Sequence, residues 1–418
     1  MRVYPLTGAI RPYAWGSHTA IAELQGRPAP TDGPEAELWL GAHPGDPSTV
    51  TGPDGPVSLA TLIAGDPEGQ LGDQVAAEFG NRLPFLLKVL AAQTPLSLQA
   101  HPDAAYARAA YARQEADPSA PKNYTDAYHK PEMLVALTPF EALCGFRSPA
   151  ASAAAIEAFG LPSLSSIVDA LRAGDLRTAV HDLLSWPQAD RKPLVEAVVA
   201  AAHAALSTDT ARAVVGQAAS LADTAQAVVG RAVPSADAAL AADLAASYPD
   251  DPGVLVALLL NHVRLAPGEA IWMPAGNLHA YLRGTGVELM AASDNVLRGG
   301  LTPKHVDVDE LLNVLVFEVL DDPILPSTPV APGVVTWPVP VRDFVLYGIE
   351  LDGARPPIEV PAEGPRVILA VAGDIFAGES LDGTPVEVTP GAAAYAPADA
   401  GPIKLAGVGR AFVAAVPS

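Results

Sequence analysis

The sequence predicts a mainly β protein built of barrel domains, with one α-helical insert. Three observations carry that reading. Short apolar or alternating runs, broken by Gly, Pro and Asp, fill both ends of the chain. An alanine-rich stretch with helical spacing fills the middle. One turn-and-strand pattern occurs twice, as "PGEAIWMPAG" (267–276) and "PGAAAYAPAD" (390–399), which points to two related barrels.

Residues 1–147 read as the first part of a barrel, with strands expected at "PFLLKVL" (84–90), "LSLQA" (96–100), "EMLVAL" (132–137) and "FEALCGF" (140–146). The pattern changes at Ser148-Pro149. Residues 148–255, with "SAAAIEAF", "LRTAVHDLLSW" and "PLVEAVVAAAHAAL", are expected to be a helical domain. "ASYPDDPG" marks its end, and "DPGVLVALLLNHVRL" returns the chain to strand-like sequence. Residues 256–320 complete the first barrel. Residues 321–418, with "FVLYGIEL", "RVILAVAG" and "PVEVTPG", form a second barrel expected to hold neither metal nor catalytic group; Asp399 is the one carboxylate in its copy of the repeat.

The net charge of −22 argues against nucleic acid and anionic membrane as partners. It does not exclude a small anionic ligand, because distant carboxylates are screened within about 8 Å at physiological salt. One cysteine, Cys144, excludes a disulfide framework and a thiolate metal site, and it reads as core. With no signal-type segment and no long apolar run, the expected location is cytoplasmic.

The chemistry concentrates in four places. In "LSLQAHPD", Gln99 and His101 stand two apart, so a strand projects both to one face, as ligands or as a surface pair. In "DAYHKPEM", His129, Lys130 and Glu132 put base, cation and acid at one point, with Pro131 favouring extended geometry before it. Glu132 at the mouth of an apolar strand is a solvated strand end or a ligand. In "PAGNLHAYL", His279 follows a Pro-Gly turn. The spacing Gly268-x5-Pro274-x-Gly276-x2-His279 resembles the second metal-binding motif of the cupin superfamily, whose turn aims the histidine into a small jelly-roll barrel. Taken together, Gln99, His101, Glu132 and His279 form a donor set suited to Zn²⁺, and acceptable to Mn²⁺, Fe²⁺ or Co²⁺. Finally, "NVLRGGLTPK" carries Arg298 and Lys304, and its two glycines are expected to allow close backbone approach to a ligand.

A wider resemblance covers residues 13 to about 305. "YAWGSHTAIAEL", "AELWLGAHP", "LPFLLKVL", "LSLQAHPD", "YTDAYHKPEM", "FEALCGFR" and "LHAYLRGTGVELMAASDNVLRGGLTPKH" occur in order and resemble the type I mannose-6-phosphate isomerases. The resemblance implies two cupin-type barrels, catalytic and C-terminal, and one zinc ion on Gln99, His101, Glu132 and His279. It implies an active-site role for Arg298. It also places Lys304, Lys130, Lys88, Trp15, Glu37 and Glu288 near the substrate. On residue type alone, Lys88 is an ordinary solvated strand lysine, and Trp15, Glu37 and Glu288 suit core packing equally well. Tyr128 departs from the family, which has Asn before His-Lys-Pro-Glu.

The family reaction interconverts mannose 6-phosphate and fructose 6-phosphate. It needs a base to move a proton between C2 and C1, a stabiliser for the enediolate, and cations for the phosphate. His129, Lys130 and Glu288 are the candidate bases, with His129 first for its natural pKa. The expected partner is a small sugar phosphate and the expected state a monomer or weak homodimer. The rivals are a metal-dependent cupin of other chemistry and a sugar-phosphate-binding cupin without turnover.

Overall fold

The computed structural model describes residues 3–52, 55–117, 119, 121–218, 233–380 and 383–417. Its strands form two large antiparallel sheet systems, with several helices. The first runs Ile324–Leu325, Ala270–Met273, Glu132–Ala136, His279–Ala291, Phe85–Ala92, Glu37–Leu40, Ala9–Arg11. The pairs Gln99–Ala100 with Leu297–Arg298, and Phe140–Phe146 with Leu260–Leu265, join it through His279–Ala291.

That 13-residue strand is the hinge of the barrel. Its first half pairs with Gln99 and Phe140–Phe146, its second half with Phe85–Ala92 and Glu132–Ala136. The register shifts after Tyr281, and Gly284 takes φ +120, a left-handed conformation that favours glycine. A Cβ there would stand 2.7 Å from Pro139 O, so the bend requires glycine on both counts.

Alternation then sorts the side chains. Phe85, Leu87, Val89, Met133, Val135, Val287 and Leu289 share one core with Trp337, Phe344, Phe412 and other residues of the C-terminal sheet. Their neighbours Lys88, Leu90, Glu132, Leu134 and Glu288 turn to the barrel interior. Around the bend, Leu98, Ala100, Leu278, Ala280 and Leu297 pack on the helical segment. Gln99, His279 and Arg298, one residue out of phase, face the other way. Each fully buried Leu or Phe contributes roughly 1.5–3 kcal/mol, so both contacts are core rather than loose docking.

The helical segment starts where the sequence changes: Ser148 caps Pro149–Ala158 by accepting from Ala151 N. It continues through 165–172, 176–184, 188–218 and 235–247. Three local readings are corrected. Of "DPGVLVALLL", Gly253–Ala257 is helix and the strand begins only at Leu260. "LSLQA" is strand only at Gln99–Ala100. And the first 147 residues are not confined to one barrel: Tyr4–Thr7 pairs with Ala393–Ala396, and Thr49–Gly52 and Gly55–Ser58 extend that C-terminal sheet.

The repeat is visible in three dimensions. Ala270–Met273 and Ala393–Ala396 are strands entered from glycines at positive φ, Gly268 and Gly391. In the second copy, Asp399 falls in a short 3-10 turn. No helix among the described residues is long and apolar enough to cross a membrane.

Candidate metal centre and active site

His101, Glu132 and His279 meet inside the first barrel, with ligand atoms within 4.8 Å of one another and all three side chains buried. Glu132 Oε2 lies 3.4 Å from His101 Nε2 and 3.3 Å from His279 Nε2. The outward nitrogens fix the tautomers. His101 Nδ1–H donates to Asn295 O at 2.7 Å, and His279 Nδ1–H donates to Asn277 O at 3.0 Å. Each Nε2 therefore presents a lone pair, and each is a buried atom without a hydrogen-bond partner. Two imidazole lone pairs and a carboxylate oxygen converging without a proton between them repel one another. A divalent cation relieves that, so the donors fit a metal ion of the zinc type. Among the described residues no other His, Cys, Asp and Glu side chains cluster this way.

Burial and the charge of Lys130 push the His101 pKa from 6.5 down to about 4, so it is neutral and ready to ligate at pH 7. In metal-free protein this has a stability consequence. The unfolded chain takes the proton first, so stability is complete above pH 6.5 and is lost as pH falls toward about 4. The expected contribution is on the order of 3 kcal/mol. Urea unfolding of chelated protein across that range should give a shallower slope for His101→Gln than for the parent.

Gln99 stands beside the cluster: its Cα pairs with both His279 and Arg298, on the face opposite the helical segment. Lys130 Nζ stands 2.8 Å from Glu132 Oε1. Burial alone would raise Glu132, but Lys130 together with His101 and His279 outweighs it and holds the carboxyl well below its usual range.

Lys88 is buried rather than solvated, 2.9 Å from Glu288 Oε2 and 3.4 Å from Glu37 Oε1. Burial works against its charge, yet Glu288, Glu37 and Glu132 together raise its pKa. Burial also raises Glu288, against the pull of Lys88. Tyr281 donates to Glu288 Oε1 at 2.8 Å, and Trp39 Nε1 donates to Glu37 Oε2 at 2.7 Å. Trp15 is partly buried against the interior core and stacks on Tyr13.

Arg298 is half-buried and makes no side-chain hydrogen bond or ion pair with any described residue. Burial lowers its pKa, but a guanidinium stays charged. Lys304 is exposed on the same loop, and its ammonium has no partner among the described residues. The glycines between them serve packing, not ligand approach. A Cβ on Gly300 would lie 2.8 Å from Gly253 Cα, and one on Gly299 3.1 Å from Leu278.

The structure does not bring His129 to the metal cluster. Its Nε2 lies 3.0 and 2.9 Å from the two carboxylate oxygens of Asp343, in the C-terminal segment. Tyr128 packs its ring under Arg82, with the guanidinium 3.7 Å from the centroid, and its carbonyl accepts from Asn295 Nδ2. Asn295, fully buried, ties this loop to His101. His43, buried and 3.5 Å from Asp294, lies nearby. Asp343, Asn295 and His43 carry no short-range signal in the sequence. Tyr281 does: two residues after His279 in a strand, it had to share the ligand's face.

A jelly-roll barrel closing on two histidines and a carboxylate, with unpaired cations at its rim, defines a metal-dependent cupin enzyme. Residues 3–149 match the family model "Phosphomannose isomerase type I, catalytic domain". The mannose-6-phosphate isomerase of Salmonella typhimurium is 35% identical over 412 residues, 97% of each chain. That of Homo sapiens is 33% identical over 413 residues, 93% of this chain and 92% of the human one. A zinc-bound mannose 6-phosphate isomerase structure superposes with a TM-score of 0.83 at 30% identity, covering all of both chains. The chain belongs to the type I phosphomannose isomerase family.

Proposed function

We propose that the chain interconverts D-mannose 6-phosphate and D-fructose 6-phosphate with one zinc ion, held by Gln99, His101, Glu132 and His279. The observation that carries the reading is the buried convergence of two Nε2 lone pairs and Glu132 beside an unpaired arginine. Bound zinc would supply Lewis-acid polarisation of the sugar oxygens. The chain's own residues do the rest. Arg298 offers fixed positive charge to a developing oxyanion or to phosphate. Lys304 offers a mobile cation at the rim for the phosphate. The proton moves between C2 and C1 through an interior group, and Lys130 and Glu288 fit that place better than His129, which Asp343 engages. Lys88, itself paired with Glu37, holds Glu288 in its buried position, and Trp15 lines the substrate side.

We place the catalytic work in residues 1–147 and 256–320, with 148–255 as helical support and 321–418 as a metal-free barrel. We further propose that the enzyme acts in the cytoplasm as a monomer or weak homodimer on a small sugar phosphate; its net charge of −22 argues against nucleic acid and anionic membrane as partners.

A coupled assay of mannose 6-phosphate turnover with and without chelator tests the reading. Turnover that chelation removes and zinc restores supports it; binding without turnover overturns it in favour of a non-catalytic cupin. Lys304→Ala should raise KM by roughly 10-fold and leave kcat within about 2-fold, because a phosphate grip is made equally in ground and transition states. Steady-state kinetics check this, and an unchanged KM would remove Lys304 from the site.

A further inference from the structure

We infer that Asp343, in the C-terminal barrel, is a positioning residue for the active site, acting through His129 on the segment that carries Lys130 and Glu132. The inference rests on the isomerase reading. Asp343 is 4% exposed, and His129 is the only described residue that bonds its carboxylate. Both oxygens accept from one Nε2–H, so the contact fixes the ring and its tautomer. A buried carboxylate left unpaired is costly, so Asp343 strongly favours the conformation in which His129 is its partner.

His129 is followed at once by Lys130, and Pro131 stiffens the link to Glu132. Lys130 faces inward onto Glu132, while His129 reaches out to the other barrel. The segment is thereby held from both sides. Phe344, the next residue after Asp343, is in the core shared with Met133 and Val135, which ties the anchor to the packed interior. A displacement near 1 Å at a catalytic group can cost about 100-fold in rate, and holding a two-sided segment in register prevents it.

The test is a double-mutant cycle on the zinc-loaded full chain. Asp343→Leu should keep its metal and its KM within about 2-fold, and lose roughly 10-fold in kcat. Asp343→Asn, which keeps an acceptor, should lose less. Added to His129→Gln, Asp343→Leu should cost no further turnover, because its effect runs through His129. A merely structural carboxylate would cost the same in both backgrounds, and that multiplied loss would overturn the inference. So would parent-like kcat in Asp343→Leu. If Asp343→Leu does not fold, the near-isosteric Asp343→Asn carries the same cycle. A parent without mannose 6-phosphate turnover would sink the isomerase reading itself; an active parent with normal variants sinks only the role of Asp343.

Discussion

His279→Ala should leave the protein with little bound metal and reduce turnover by more than about 100-fold. Substituting a residue that only orients a metal ligand typically costs 10–100-fold, so removing a ligand must exceed that. The variant deletes one of two buried Nε2 lone pairs and leaves His101 and Glu132 as the ionisable donors. Its Cα also pairs with Gln99, so the loss falls at the junction of the donor set. A readout apart from activity separates metal loss from misfolding. In the parent, zinc held by the folded site should raise the melting temperature, and chelator should remove that increment. In His279→Ala, chelator should leave the melting curve unmoved. Full metal occupancy in the variant, measured by elemental analysis, would dismantle the four-ligand site.

The parts of this site that the sequence discloses are those set by short-range geometry. Gln99 and His101 read as one face of a strand, although the strand itself stops at Ala100, and His279 points inward because Gly268, Pro274 and Gly276 shape the turn before it. Glu132 opens an apolar strand, so its side chain had either to be solvated or to be used. Lys88 defeats the same reasoning. Its residue type suits a solvated strand, but its partners Glu37 and Glu288 stand on two other strands, one of them 51 residues away. The surroundings of His129 are hidden for a similar reason: Asp343, 214 residues on, engages its ring. Catalytic and structural histidines look identical until that distant partner is known.

The fold follows the same division. Alanine-rich spacing places the helices and alternating runs place most strands, since those are local periods. Which sheet a strand joins is not local. Tyr4 pairs with Tyr395, and nothing in "VYPLT" announces it. The stretch from Gly253 to Leu260 reads equally as strand or buried helix, because an unbroken apolar run has no period to decide it. "RGG" is a case of right residues and wrong cause. Close approach does require these glycines, but what approaches is Gly253 and Leu278, not a ligand.

Arg298→Lys should retain zinc and lose turnover by about 100-fold or more, with Arg298→Ala at least as impaired. The alternative of a surface salt bridge is removed by the structure, since this half-buried guanidinium has no ion pair among the described residues. A desolvated, unpaired cation is costly to keep, and an anionic ligand is the direct compensation. Its position supports the same end. Arg298 pairs across the sheet with Gln99, and Leu297 beside it is anchored in the helical core, so alternation turns the arginine to the metal side. Lysine preserves the charge but not the planar fork that bridges two oxygens. If Arg298 faces the oxyanion that develops at C1 and C2, its contribution is made in the transition state, and kcat falls while KM holds. If it grips phosphate throughout the reaction, KM rises and kcat stays near the parent value. We expect the first pattern, because Lys304 already offers a cation at the rim, whereas Arg298 sits beside the donor set. Steady-state kinetics on both variants, with metal content measured alongside, decide it, and parent-like values in both would exclude Arg298 from the reaction.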